Sequence, residues 1–377
     1  MIPFNKPYLS GKETEYITQA VASGKISGDG VFTKKCHEFF EHKYGFLKCL
    51  LTTSCTDALE MAAILINIQE GDEVIVPSYT FVSTVNAFVL RGAKIIFADS
   101  LPNHPNIDTS KIEKLITKKT KAIVPVHYAG MACEMDEIMA LADKYNLFVI
   151  EDAAQAIDST YKNKPLGSIG HLAAFSFHET KNIISGEGGM LVINDAQFKE
   201  RAEIIREKGT NRSKFFRGEV DKYGWVDIGS SFLPSDIIAA FLYAQCECID
   251  DIQSKRKQLW DRYYTSLKPL EDSGFISLPI LPNGATNNAH MMYLLTKDLA
   301  ERDNLIQHLK QAGIFSVFHY LSLHKSPFYS TKYQGDELPN TDRFTDCLLR
   351  LPLYYELNLT DIDKIVEAIH QFYTTQS

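Results

Sequence analysis

The chain has 377 residues, 45% hydrophobic and 23% charged, enough to bury a large core in two or three domains. Its net charge is −8 with no lysine/arginine block, which argues against a nucleic-acid or anionic-membrane partner. No apolar stretch reaches membrane-spanning length, and the opening MIPFNKPYLSGKE lacks the order of a secretory signal, so a cytoplasmic location away from membranes is expected.

The first informative element is LLTTSCTDALEMAAILI (residues 50–66): a strand end, small hydroxylated residues, then an apolar-periodic helix. A helix start offers free backbone N–H groups and the positive end of the dipole, which suit a phosphate. An ordinary Ser/Thr/Asp cap explains the same letters without a ligand. Strands and helices then alternate: EVIVP (73–77), a helix over 82–91, KIIFAD (94–99), and a helix near 109–118. KAIVPV (121–126), a helix over 134–145 and LFVIED (147–152) continue the series. Short Val/Ile runs joined by helices imply parallel strands buried on both faces, with ligands gathering beyond their carboxyl ends. Ser78, Tyr79, Thr80, Phe81, Asp99, His127, Tyr128 and Asp152 lie just past those ends and are pocket candidates. Phe81 is placed to stack on a flat heteroaromatic ring, with a core aromatic as the alternative.

LAAFSF (172–177) and MLVIN (190–194) then read as two strands flanking a polar loop that carries Lys181 and the turn GEGG (186–189). A lysine pinned between strands loses solvation and proton affinity, the condition for forming a Schiff base. Asp152, ending its strand in EDAAQ, is placed to hold a pyridinium proton, the partner pyridoxal 5′-phosphate (PLP) needs to act as an electron sink. Taken singly, the lysine is a solvated loop charge and the aspartate a helix cap or metal ligand; their joint occurrence points to a PLP enzyme. No GxxxxGK[ST] occurs, and GEGG precedes a strand rather than opening a helix, so neither nucleotide loop is present.

A domain boundary is expected near residue 245, giving a large domain over 1–245 and a small one over 246–377. A long charged helix (248–270) leads into an α+β unit: MMYLLT (291–296), a helix over 301–311, IFSVFHY (314–320) and a closing helix over 361–373. Cysteines 36, 49, 55, 133, 246, 248 and 347 are scattered and odd in number, as in a reducing compartment. The Cys246-x-Cys248 pair has no nearby partner and reads as helix packing, so no metal is expected.

SCTDALEMA, GDEVIVPSYTFVSTVNA, PVHYAG, EDAAQA, SFHETKN with GEGG, and SDIIAA together resemble the DegT/StrS-type sugar-nucleotide aminotransferases over essentially the whole chain. The resemblance implies an α/β fold of the aspartate-aminotransferase type (PLP fold type I), with a large mainly parallel sheet sandwiched by helices and a smaller C-terminal α+β domain. It implies Lys181 as the Schiff-base lysine, Asp152 on the pyridine nitrogen, Gln155 on the ring hydroxyl and Phe81 on the ring face. Thr56, Asp57 and Ser176 would hold the phosphate, Asp57 through its backbone N–H only, since its carboxylate would repel the dianion. Family members are homodimers with shared active sites; where they use an asparagine toward the neighbour's phosphate, this chain has Ser231. His319, Tyr320 and His324 in FHYLSLH would lie near the sugar nucleotide. KGTNRSKFFRGEVDKYGWVDIGSSFLPSD and the N-terminal stretch are similar to members that use L-glutamate to aminate C4 of dTDP-4-dehydro-6-deoxy-D-glucose. That implies dTDP-4-amino-4,6-dideoxy-D-galactose for lipopolysaccharide or O-antigen biosynthesis. The alternatives are amination at C3 of a 3-dehydro sugar, a dehydratase (which would carry histidine for Lys181) and a non-catalytic PLP-binding regulator (which should carry a DNA-binding appendage).

Overall fold

The computed structural model describes residues 1–374. Val/Ile-rich runs form β1 (Lys48–Thr52), β2 (Glu73–Pro77), β3 (Lys94–Ala98), β4 (Thr120–Ile123), β5 (Phe148–Asp152), β6 (Leu172–Ser176) and β7 (Gly189–Ile193). They make one sheet in the order β1–β7–β6–β5–β4–β2–β3. Strand β7 is antiparallel to both neighbours; the other adjacent pairs are parallel. Alternate residues enter two separate apolar layers: Val74, Ala122, Ile150 and Leu191 on one face, Ile75, Ile123, Val149 and Val192 on the other. Helices Cys55–Leu65, Ser83–Val89 and Lys199–Arg206 cover the first face. Helices Val31–Tyr44, Met135–Tyr145 and Asp236–Cys246 cover the second. Cys246 packs inside this second layer, and all seven cysteines are free. This is the large, mostly parallel sheet flanked by helices that the sequence implied.

Two expected elements are shorter than their apolar patterns suggested. The helix expected over 109–118 is only Thr109–Ile112 plus a 3-10 turn, Glu113–Leu115. Ile116 is already extended, because a turn closed by Thr120 N–H to Thr117 C=O (3.2 Å) must feed β4. The strand expected over 121–126 stops at Ile123, since Pro125 has no N–H to continue a ladder.

A second core lies under the antiparallel pair β8 (Met292–Leu295) and β9 (Leu348–Leu351), covered by helices Leu299–Gln311 and Leu359–Thr374. Helix Ile249–Asp272 joins the two: Ile249 and Ile252 pack into the large-sheet core, Leu259, Tyr263 and Leu267 into the second. The strand anticipated in IFSVFHY reduces to two isolated bridges, Ile314 with Ile2 and Val317 with Arg350, and β9 takes its place. At the other end of the sequence, Ile2 pairs with Gly313 (2.8 Å) and Phe315 (3.0 Å), so the N-terminal residues pack with the C-terminal core. Among the described residues no helix is long and apolar enough to cross a membrane.

The aspartate of SDIIAA has a structural task. Asp236 is fully buried and accepts from Thr33 N–H (2.8 Å), Thr33 Oγ1 (2.7 Å) and Phe32 N–H (3.3 Å). It thereby satisfies free donors at the start of helix Val31–Tyr44 from a distant part of the chain. A Cβ on Gly30 would sit 2.3 Å from this carboxylate, so the glycine admits the approach. Asp236→Ala is expected to cost about 2–4 kcal/mol, because buried donors lose a charged acceptor. Thermal unfolding of apo and holo protein checks this, with a Tm drop of roughly 5–10 °C expected.

Candidate active site

Beyond the carboxyl ends of β2 and β5, a cavity of about 470 Å³ gathers Phe81, Asp152, Gln155, Ser176, Lys181 and the first turn of helix Cys55–Leu65. Lys181 enters it from the loop between the antiparallel strands β6 and β7. Phe177 N–H to Gly188 C=O (2.8 Å) and Glu179 N–H to Gly186 C=O (2.9 Å) close that loop. The next residue anchors it: Asn182 Nδ2 donates to Gln253 Oε1 (2.7 Å) and Asn288 C=O (2.9 Å), while its Oδ1 pairs with His290 Nδ1 (2.8 Å). Lys181 is the only lysine in the cavity wall. Burial pulls its proton affinity down to about 8, with Cys55 and Asp152 opposing and Arg350 adding to the effect. An amine of that affinity is roughly one-quarter neutral at pH 7.5, against about a thousandth for an exposed lysine.

Asp152 ends β5, fully buried. Burial pushes its carboxyl above the usual range, and two donors pull back: Thr84 Oγ1 to Oδ2 (2.7 Å) and Ala154 N–H to Oδ1 (3.1 Å). Thr84 has one hydroxyl proton and gives it to Asp152, so Thr80 Oγ1, 2.8 Å from Thr84 Oγ1, is the donor in that pair. Asp152 is therefore an oriented buried carboxylate with no cation in hydrogen-bonding contact.

The helix start lies on the opposite wall. Ser54 caps it, its Oγ accepting from Asp57 N–H at 3.1 Å, and Ser54, Cys55 and Thr56 line the cavity with Ser176 from β6. Gly189, the last residue of GEGG, makes this approach possible: a Cβ there would lie 2.3 Å from the Ser54 carbonyl carbon. A matched family profile extends over residues 7–370.

The chain belongs to the DegT/DnrJ/EryC1/StrS aminotransferase family.

It is 34% identical over 374 residues to GDP-perosamine synthase of Escherichia coli O157:H7, covering 99% of each chain. It is 33% identical over 378 residues to spore coat polysaccharide biosynthesis protein SpsC of Bacillus subtilis (strain 168), covering 98% of this chain and 96% of that one. Spr1654 of Streptococcus pneumoniae in its PMP-form superposes over 100% of both chains with a TM-score of 0.91 at 26% identity. The protein is thus a PLP-dependent sugar aminotransferase. The cavity suits that cofactor: it holds one amine of lowered proton affinity, one buried carboxylate with no cation in hydrogen-bonding contact, and a helix start for a phosphate.

Against this frame of a DegT-family enzyme, the expected residues divide. Thr56, Phe81, Asp152, Gln155, Ser176, Lys181, His319 and Tyr320 all line the one cavity. Phe81 is 55% exposed, leaving a ring face open, with its centroid 5.9 Å from that of Tyr320. Gln155 is fixed by Ala129 N–H on its Oε1 (2.6 Å) and donates from Nε2 to Tyr320 Oη (3.1 Å), keeping one amide proton spare. Tyr79 and Tyr128 hydroxyls both donate to His319 C=O, at 2.6 and 2.8 Å, and so fix the His319–Tyr320 segment.

Two expected residues lie outside the cavity wall. Asp57 is not in the cavity wall: its N–H is used on Ser54 Oγ and its carboxylate accepts from the Thr53 hydroxyl, so it belongs to the helix cap. His324 also lies outside, buried against Ser78, whose Oγ is 2.8 Å from its Nδ1 and accepts from its backbone N–H at 3.1 Å. It braces the end of β2. Ser231 lies in a separate surface groove with Lys25, Lys208 and Arg212. Phe4, Thr84, His290 and Arg350 are among the cavity residues that carried no expectation. Only Arg350 had a local signal, a charge inside the apolar run CLLRLPLYY.

Proposed function

We propose that this aminotransferase moves the amino group of L-glutamate to C4 of dTDP-4-dehydro-6-deoxy-D-glucose, giving dTDP-4-amino-4,6-dideoxy-D-galactose for a surface polysaccharide. The observation that carries the chemistry is the buried Lys181, its proton affinity lowered, sharing one cavity with the buried Asp152. The C4 assignment rests on the likeness of residues 208–236 to C4-aminating members. A nucleotide-sugar acceptor is supported by the relative named for a GDP-sugar product.

Bound in the cavity, PLP supplies an electron sink and carries the amino group between two half-reactions. Lys181 Nζ would hold the cofactor, take the proton from the donor's α-carbon and pass it to the cofactor rather than back to that carbon; in the second half-reaction it would move a proton from the cofactor to sugar C4. Asp152 keeps the ring nitrogen protonated, Gln155 holds the ring hydroxyl, and Phe81 covers a ring face. Thr56, Ser176 and the helix start take the phosphate. We place the two domains at 1–245 and 246–377 and the active enzyme as a homodimer, with Ser231 reaching the partner's phosphate. The apolar side chains exposed in the same segment, Phe216, Trp225, Val226 and Ile228, are the kind of surface a second subunit covers.

Purified holoenzyme incubated with L-glutamate and dTDP-4-dehydro-6-deoxy-D-glucose should yield a 4-amino galacto product by NMR. GDP-linked and 3-dehydro sugars serve as competitors. Amination at C3, a gluco product or a preference for the GDP sugar would overturn the assignment.

A further inference from the structure

Arg350 stands apart from the other buried arginines. Arg206 is 3% exposed and pairs with Asp29 (2.5 Å); Arg302, 5% exposed, pairs with Asp303 (3.0 Å). Arg256, 4% exposed, donates to Ala289 C=O (3.0 Å) and His290 C=O (2.7 Å). Arg350 is 8% exposed and lines the Lys181 cavity, yet among the described residues it forms no ion pair. Its Nε is buried without a hydrogen-bond partner. Its Nη1 contacts only His319 Nδ1, at 2.9 Å, and its guanidinium carbon sits 5.0 Å from the Phe4 ring centroid.

Burying a guanidinium without an anion is costly, and an arginine has no acceptor to turn inward. His319 does not neutralise it. As the acceptor in that contact its Nδ1 carries no proton, and burial, reinforced by Arg350, holds the imidazole down at about 4. The cavity therefore presents a fixed cation with donor capacity to spare, close enough to Lys181 to lower that amine's proton affinity.

We propose that Arg350 binds the carboxylate of the amino donor. This rests on the reading above, in which an α-amino acid and a keto sugar take turns at Lys181. A donor's α-carboxylate is one bond from the carbon whose proton Lys181 Nζ takes, so an anion site close to Lys181 matches it. The phosphates of a sugar nucleotide hang from C1, with the pyranose ring between them and C4. The keto sugar brings no anion to Arg350, and in that half-reaction the Phe4 ring and His319 Nδ1 hold the guanidinium in place. Arg350 is thus a donor-specific binding residue in a site that both substrates share.

The test titrates PLP-loaded wild-type, Arg350→Gln and Arg350→Lys enzyme with glutarate, which has the donor's carboxylates but no amine, and separately with dTDP. Single-turnover reaction with L-glutamate, followed by cofactor absorbance without any sugar, provides the kinetic arm. Arg350→Gln should weaken glutarate binding roughly 10- to 100-fold and raise the half-saturating glutamate concentration similarly, the scale of a lost charged hydrogen-bond pair. Its dTDP affinity should stay within about twofold, since no donor to the nucleotide is removed. Arg350→Lys should fall between, because a point charge lacks the fork. Weakened dTDP binding with unchanged glutarate binding would reassign the cation to phosphate and overturn the proposal. Unchanged binding of both would leave Arg350 as a brace for His319 and also overturn it. If Arg350→Gln fails to retain PLP, Arg350→Lys decides, and glutarate affinity equal to wild type then refutes the idea. Neither the glutarate arm nor the glutamate arm contains sugar, so an error in the acceptor assignment leaves this readout standing.

Discussion

Lys181→Ala should lose turnover by roughly 10⁵-fold or more, the scale seen when an enzyme's single covalent nucleophile is removed. The protein-linked absorption band of PLP should vanish with it. No neighbouring amine can take over, because Lys181 is the only lysine in the cavity wall. The effect is also pH-signed. Burial lowers this amine's proton affinity from the ordinary 10.5 to about 8, so its neutral, nucleophilic form grows as pH rises and is nearly complete above about 9. The rate at which apo-protein captures PLP should therefore climb up to about pH 8 and level off above it, whereas capture by a surface lysine would keep rising past pH 10. Borohydride reduction followed by peptide mapping locates the attachment. A pyridoxyl group found elsewhere, or turnover retained in the variant, would remove Lys181 from its assigned role.

The same residue shows why much of the site was legible in the chain. A polar loop between two apolar strands places its lysine by topology, and EDAAQ ends a buried strand, so Lys181 and Asp152 needed no tertiary detail to be paired. The parallel sheet was legible for a related reason: strands buried on both faces read as continuous Val/Ile runs, and β2, β3 and β5 each emerged close to their expected bounds. What local pattern cannot register is a contact made across the sequence. A capping aspartate and a ligand-facing one share the same letters, and the contacts of Asp57 with the Thr53 and Ser54 hydroxyls could not be read from them. His324 sits in an aromatic, histidine-rich run that invites a substrate role, yet its ring is used on Ser78, 246 positions away. Phe4 and Arg350 meet through the docking of residues near Ile2 against Gly313 and Phe315, which nothing near either residue announces. The short helix after Asp108 reflects a third limit, since its length is set by where the turn must release β4 rather than by its own apolar spacing.

Asp152→Asn tests the other half of the chemistry, and it is close to isosteric, so the cavity should keep its shape. The asparagine can still accept from Thr84 or Ala154 through its carbonyl oxygen, but it carries no charge. In the wild-type cavity, burial already pushes this carboxyl upward, and the Thr84 hydroxyl and the Ala154 N–H, with smaller help from Lys181 and His127, sustain its anion. In the proposed role a protonated pyridine ring would supply the missing cation, and anion and pyridinium would stabilise each other in a site that water does not screen. Remove the negative charge and the ring nitrogen has no reason to hold its proton at neutral pH, so it ceases to draw electrons from the bond that Lys181 must break. The expected result is PLP still bound, more weakly, with kcat lower by roughly 10³-fold, comparable to losing a major preorganised electrostatic contact. A cofactor analogue with a methylated, permanently positive ring nitrogen should restore part of that loss in Asp152→Asn, because it carries the charge the carboxylate was there to maintain. Near-normal turnover with PLP itself, or no gain with the methylated analogue, would mean that Asp152 serves the cavity's architecture and that its charge does not govern the ring.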